Sequence, residues 1–138
     1  MNEPQVRTPL SALPIDHLTI NARSFDQASA FYALLLPELG FEQAKHGIWR
    51  NGAGLYVQLR EARPDTRDYE RYGPGLNHVG FRAPNRAFVE ELATRLTEAG
   101  LVVRLQSFAD GTVAAFIPDP DGLRVEVSWY PESVPPVD

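Results

Sequence analysis

An internal repeat restricts the fold more than any other feature of the chain. Ile15-Asp16-His17-Leu18 matches Leu76-Asn77-His78-Val79, and Gly54-Leu55-Tyr56-Val57-Gln58-Leu59 matches Gly122-Leu123-Arg124-Val125-Glu126-Val127. Between these ends each half carries a helical stretch and a glycine-led turn, Gly40-Phe41 in one and Gly100-Leu101 in the other. A unit present twice buries its apolar faces largely against its own copy. With 138 residues, the chain suits one such domain of two halves.

Each half reads as β-α-β-β-β. In the first, residues 15–22 alternate as a strand. Ser24 caps a helix with Gln27 three positions on; Ala28, Phe31, Tyr32 and Leu35 form its apolar stripe, and Pro37 ends it. Short strands at 41–44 and 48–50 turn at Gly47, and 55–60 completes the half. In the second, 76–83 is a strand and Asn85 caps a helix to about Ala99, with Phe88, Leu92 and Leu96 as its buried face and Gly100 as its stop. Strands at 101–106 and 112–117 meet at Asp110-Gly111, and Pro118-Asp119-Pro120-Asp121-Gly122 leads into a last strand, 123–130. The domain limits are therefore an arm at 1–14, module one at 15–60, a charged linker at 61–75, module two at 76–130 and a tail at 131–138. The linker, which carries Tyr69 and Tyr72, reads as solvated chain, with a lid over the site as the other use for it.

Strand residues alternate between faces. Leu18, Ile20 and Ala22; Leu55, Val57 and Leu59; Val79, Phe81 and Ala83; and Leu123, Val125, Val127 and Trp129 form apolar faces for the helices. The opposite faces hold His17, Gln58, His78 and Glu126 in turn. The expected fold class is α+β: two βαβββ modules forming a curled mixed β-sheet cup, with the helices outside and these four side chains within.

Two imidazoles and one carboxylate suit Zn, Fe, Mn, Ni or Co as a divalent ion, and three protein ligands leave positions open for water or substrate. Gln58 offers a fourth ligand through its carbonyl oxygen, or a hydrogen bond at the rim. The plainer reading is a polar binding cup without metal; two of only three histidines at equivalent repeat positions favour the ion. His46, beside Gly47, reads as surface. The absence of cysteine removes disulfides, thiolate ligands and cysteine nucleophiles, and fits a cytoplasmic protein. A net charge of −5 with scattered basic residues argues against nucleic acid and for a small-molecule partner. No apolar run reaches the roughly 20 residues of a membrane span, and residues 1–14 lack a signal-peptide pattern.

From Ile15 to Tyr130 the sequence resembles the vicinal oxygen chelate superfamily: glyoxalase I, extradiol dioxygenases, fosfomycin-resistance proteins, bleomycin-binding proteins and methylmalonyl-CoA epimerase. The motifs are DHLTI, the Phe31, Tyr32 … Leu39, Gly40, Phe41 pattern, NHVGFRA, and FIPDPDGLRVEV, whose aspartate-proline-aspartate-glycine turn is the most specific. The resemblance implies paired modules, a cupped metal site held by His17, His78 and Glu126, and often a homodimer. Glyoxalase I members usually have a glutamate where this chain has Gln58, so isomerase chemistry here would fall to Glu126 alone. The three-ligand set matches extradiol dioxygenases better, with Tyr56 and Tyr130 as candidates for their second-sphere groups. Thr19 matches a threonine of the fosfomycin-resistance proteins, but Thr112–Ile117 lacks their basic residues.

Two functions follow. One is a metal-dependent lyase, isomerase or ring-cleaving dioxygenase that chelates adjacent oxygens of a small substrate. Arg60, Arg82 and Arg124 would then meet a substrate carboxylate, with surface arginines at the rim as the equal alternative; Thr19, Trp49, Tyr56 and Phe116 would line the pocket, with core packing as the plainer use of the three aromatics. The other is a non-catalytic binder that sequesters a drug or metabolite, as bleomycin-binding relatives do.

Overall fold

A computed structural model describes residues 11–137. The expected arm at 1–14 lies outside the described residues as far as residue 10, and 11–16 carry no regular structure. The order is β1 (His17–Ala22), α1 (Phe25–Leu35), β2 (Phe41–Lys45), β3 (Ile48–Asn51), β4 (Tyr56–Glu61), β5 (His78–Arg82), α2 (Arg86–Glu98), β6 (Arg104–Ser107), β7 (Val113–Pro118) and β8 (Arg124–Trp129). Both expected caps form. The Ser24 side chain accepts from Gln27 N at 3.2 Å, and Asn85 Oδ1 accepts from Phe88 N at 2.8 Å.

α1 ends at Leu35, ahead of Pro37 as expected, and Pro37 then sits at the start of a 3-10 turn, Leu36–Leu39, where no amide hydrogen is needed from proline. Two expectations shift. The buried stripe of α2 is Val89, Leu92, Ala93 and Leu96, with Phe88 only half-buried; the i, i+3, i+4, i+7 set displaces the i, i+4, i+8 one. The strand expected from Leu101 starts at Arg104.

The repeat is visible in the pairing. One sheet has the order β1-β4-β3-β2 and the other β5-β8-β7-β6, with β1 parallel to β4, β5 parallel to β8, and antiparallel pairs elsewhere. The parallel register sets His17 beside Tyr56 and Thr19 beside Gln58; in the other sheet it sets His78 beside Arg124 and Gly80 beside Glu126. The sheets share no strand pairing, so β1 and β5 are both edge strands and the two half-cups do not close into one.

Each helix covers the apolar face of its sheet, and the covered faces meet in one core. It includes Phe31, Tyr32 and Leu35 of α1, Leu92 and Leu96 of α2, and Val57, Leu59, Val125 and Val127 of the strands. Phe41 and Phe81 touch edge to face across the halves, with centroids 6.0 Å apart. Burying each such side chain contributes about 1.5–3 kcal/mol.

Polar bonds fix the joint between the halves. The buried Tyr32 hydroxyl donates to Asp119 Oδ2 at 2.8 Å, while Asp119 Oδ1 accepts from Asp121 N (2.9 Å) and Leu123 N (3.0 Å). The aspartate-proline-aspartate-glycine turn thus ties the start of β8 to α1, and Gly122, at φ +95°, supplies the left-handed turn that this needs. Asp121 Oδ2 accepts from Arg23 N at 3.1 Å. The Arg23 guanidinium donates to the carbonyls of Arg63, Thr66 and Arg67, so the 61–75 linker is pinned to the body. No helix among the described residues is long and apolar enough to cross a membrane.

Candidate metal-binding face

The second half brings two candidate ligands together. His78 leads β5 and Glu126 sits in mid-β8, both on the face turned from the helices, with His78 Nε2 3.9 Å from Glu126 Oε1. Two ligands at about 2.1 Å from one ion in tetrahedral geometry lie about 3.4 Å apart, so a shift of about half an ångström seats both. Ser128, almost wholly buried, donates to Glu126 Oε2 at 3.1 Å and leaves Oε1 toward the imidazole. A Cβ at Gly80 would stand 3.8 Å from Glu126 Oε2, in ordinary contact, so only a bulkier side chain there would crowd the carboxylate.

The first half has the same register but different contents. Thr19 stands where the other half has Gly80, and its hydroxyl donates to Gln58 Oε1 at 3.3 Å. That carbonyl oxygen is the atom Gln58 would offer as a fourth ligand. His17 is exposed, and its Nδ1 pairs with Asp16. Among the described residues no group of three His, Cys, Asp or Glu side chains gathers at one point within the chain. The donor chemistry of His78 and Glu126 fits a borderline divalent ion, and this chain brings two of the expected three ligands to one place.

The other named residues divide. Trp49 is a correction: its register partner is Val57, so it lies on the apolar face, buried in the core and not lining a pocket. Phe116 pairs with Glu126 on the polar face, with the Arg124 guanidinium 5.4 Å from its ring centroid. Arg124 also donates to Asn77 Oδ1 at 3.3 Å, which commits it to local structure. Arg82 lies over the Tyr130 ring at 5.0 Å. Tyr56, beside His17, is partly exposed. His46 is exposed, its ring packed on Phe25 at 5.0 Å. Thr19 and Arg60 border an open cavity of about 730 Å³ lined also by the linker residues Arg63, Arg67 and Tyr69 and by Asp119; neither His78 nor Glu126 lines it.

Sequence reasoning passed over Ser128, Asn77 and Asp16. The signal for the last two was present: each histidine of the repeat follows a side chain with an acceptor oxygen.

Paired βαβββ modules with a histidine–glutamate face define the class. The chain belongs to the Glyoxalase/Bleomycin resistance protein/Dioxygenase superfamily, whose family description matches residues 14–127. It is 29% identical over 121 residues to the uncharacterized protein YqjT of Bacillus subtilis, covering 80% of this chain and 94% of that one. A solved Bacillus halodurans structure superimposes with a TM-score of 0.72 at 30% identity, covering 83% of this chain and 94% of that one. Lactoylglutathione lyase from Agrobacterium tumefaciens does so with a TM-score of 0.62 at 28% identity, over 88% and 95%.

Proposed function

We propose that the chain is a divalent-metal-dependent enzyme of the glyoxalase type, acting on a small substrate with oxygens on adjacent carbons. The observation that carries this is the approach of His78 Nε2 to Glu126 Oε1 on an open polar face. His17 completes the ligand set from a second copy of the chain. β1 and β5 are both unpaired edges, and a two-fold arrangement would bring the His17 half of each copy to the Glu126 half of the other.

A bound ion of the Zn, Fe, Mn, Ni or Co group would supply Lewis-acid stabilisation of charge developing on the substrate oxygens. The chain's own groups do the rest. Glu126 is the one carboxylate among the four repeat-matched positions, so proton transfer falls to it, with Ser128 holding its far oxygen. Gln58, engaged by Thr19, moves no proton; it orients oxygen at the rim. Similarity to a lactoylglutathione lyase supports lyase or isomerase chemistry over ring cleavage. The lack of cysteine suits a reducing cytoplasm.

A second reading, a small-molecule binder without metal, draws on the absence of a three-ligand group within one chain, among the described residues. Elemental analysis after incubation with each candidate metal separates the two. The enzyme reading expects stoichiometric metal in the wild type and loss of it in His78→Ala and Glu126→Gln. Equal, negligible metal in all three would leave only the binder.

A further inference from the structure

We propose that Asp16 and Asn77 are positioning residues that fix the tautomer of the histidine following each of them, so that both rings present a bare Nε2. This rests on the ligand role given above to those two Nε2 atoms.

Asn77 makes the case most fully. Its Nδ2 donates to the Arg71 carbonyl at 2.9 Å, which fixes the orientation of the amide and turns Oδ1 toward His78 Nδ1, 2.7 Å away. An amide oxygen only accepts, so His78 Nδ1 carries the proton. A neutral imidazole has one N–H; Nε2 is therefore the lone-pair nitrogen, and it is the atom facing Glu126. Arg124 Nη2 donates to the same Oδ1 and, stacked on Phe116, holds the amide from the far side.

The first half repeats the device with a carboxylate. His17 Nδ1 pairs with Asp16 Oδ2, and an ionised carboxylate also accepts only. The same ring nitrogen is engaged by the same neighbour at both repeat positions, so the arrangement is a property of the repeat and not an accident of one strand. It works because Asp16 and Asn77 precede the first residue of β1 and β5. Inside a strand, neighbours i and i+1 face opposite sides and could not meet in this way. Outer partners of this kind commonly orient metal-ligating histidines and raise their basicity.

The test is a long-range proton–nitrogen NMR correlation on the full-length, metal-free, ¹⁵N-labelled protein, at a pH about two units above the ordinary histidine value of roughly 6.5. His17 and His78 are expected in the Nδ1–H form. His46, with no hydrogen-bond partner among the described residues, is expected in the Nε2–H form that free imidazole prefers. Asn77→Ala should return His78 to Nε2–H and leave His17 unchanged, Asn77→Asp should restore Nδ1–H, and Asp16→Ala should do for His17 what Asn77→Ala does for His78. Zinc titrated alone should bind about 10- to 100-fold more weakly to Asn77→Ala, with recovery in Asn77→Asp. An Nε2–H wild-type His17 or His78, or an Asn77→Ala spectrum with His78 unmoved, overturns the proposal. The wild-type spectrum decides even where a variant fails to fold. Nδ1–H rings in a protein that takes up no zinc support the positioning role and overturn the metal reading instead.

Discussion

Tyr32→Phe deletes one oxygen from the joint between the halves. Tyr32 is 1% exposed, and its hydroxyl is 2.8 Å from Asp119 Oδ2, itself in a site only 6% exposed. Burial raises the Asp119 carboxyl above its ordinary 3.8, while the bonds from Tyr32, Asp121 N and Leu123 N pull it back down. A carboxylate raised in the folded state binds its proton more tightly there than in the unfolded chain. Its contribution is thus fully present below pH 3.8 and is lost as pH rises through the raised folded value. Removing the tyrosine donor raises that value further, so the variant should lose more stability with pH than the wild type. At about pH 8 the missing bond is one to a charged group, and we expect a loss of about 2 kcal/mol. At about pH 3, where the partner is neutral, the loss should be about 1 kcal/mol. Urea unfolding followed by the fluorescence of buried Trp49 measures both. A loss under about 0.5 kcal/mol at pH 8, or equal losses at the two pH values, would refute the reasoning.

Three further changes separate stability from function. Gly80→Val should leave stability unchanged or raise it by a few tenths of a kcal/mol, because valine suits an exposed strand, yet cut metal uptake by filling the space before Glu126; thermal melts and elemental analysis read the two effects. Ser128→Ala should weaken zinc binding about 10-fold or more by freeing Glu126 Oε2, as isothermal titration would show. Arg23→Ala should unpin the linker and expose residues 61–75 to limited proteolysis, with cleavage sites mapped by mass spectrometry.

Period-two alternation made the faces of β1, β4, β5 and β8 legible, because a buried face tolerates no one-residue slip. The helix starts were legible because Ser24 and Asn85 satisfy amides that the helix itself cannot. The side taken by Trp49 was not legible. It depends on the β2–β3 hairpin, whose pairing shifts between Gln43 and Lys45, and a bulge leaves no trace in hydropathy. Phe88 was misplaced for a related reason: an aromatic ring at one helix position looks like core until the neighbouring turn decides which stripe is covered. The role of Asp119 was hidden because its partner, Tyr32, lies 87 positions away. The approach of His78 to Glu126 was legible in the repeat, and so was an acceptor side chain before each histidine, whereas the hold of Ser128 on Glu126 is a bond that only the fold creates.

Co-expression of His17→Ala and His78→Ala chains, followed by zinc analysis of the mixed protein, tests most directly the claim that two copies share each site. Neither variant alone should hold zinc. In a mixed dimer one of the two sites lacks both histidines and the other keeps every ligand, so a random mixture, half of it mixed dimers, should regain about one quarter of the wild-type zinc. A mixture as empty as its parents, under conditions where the wild type fills, would contradict it.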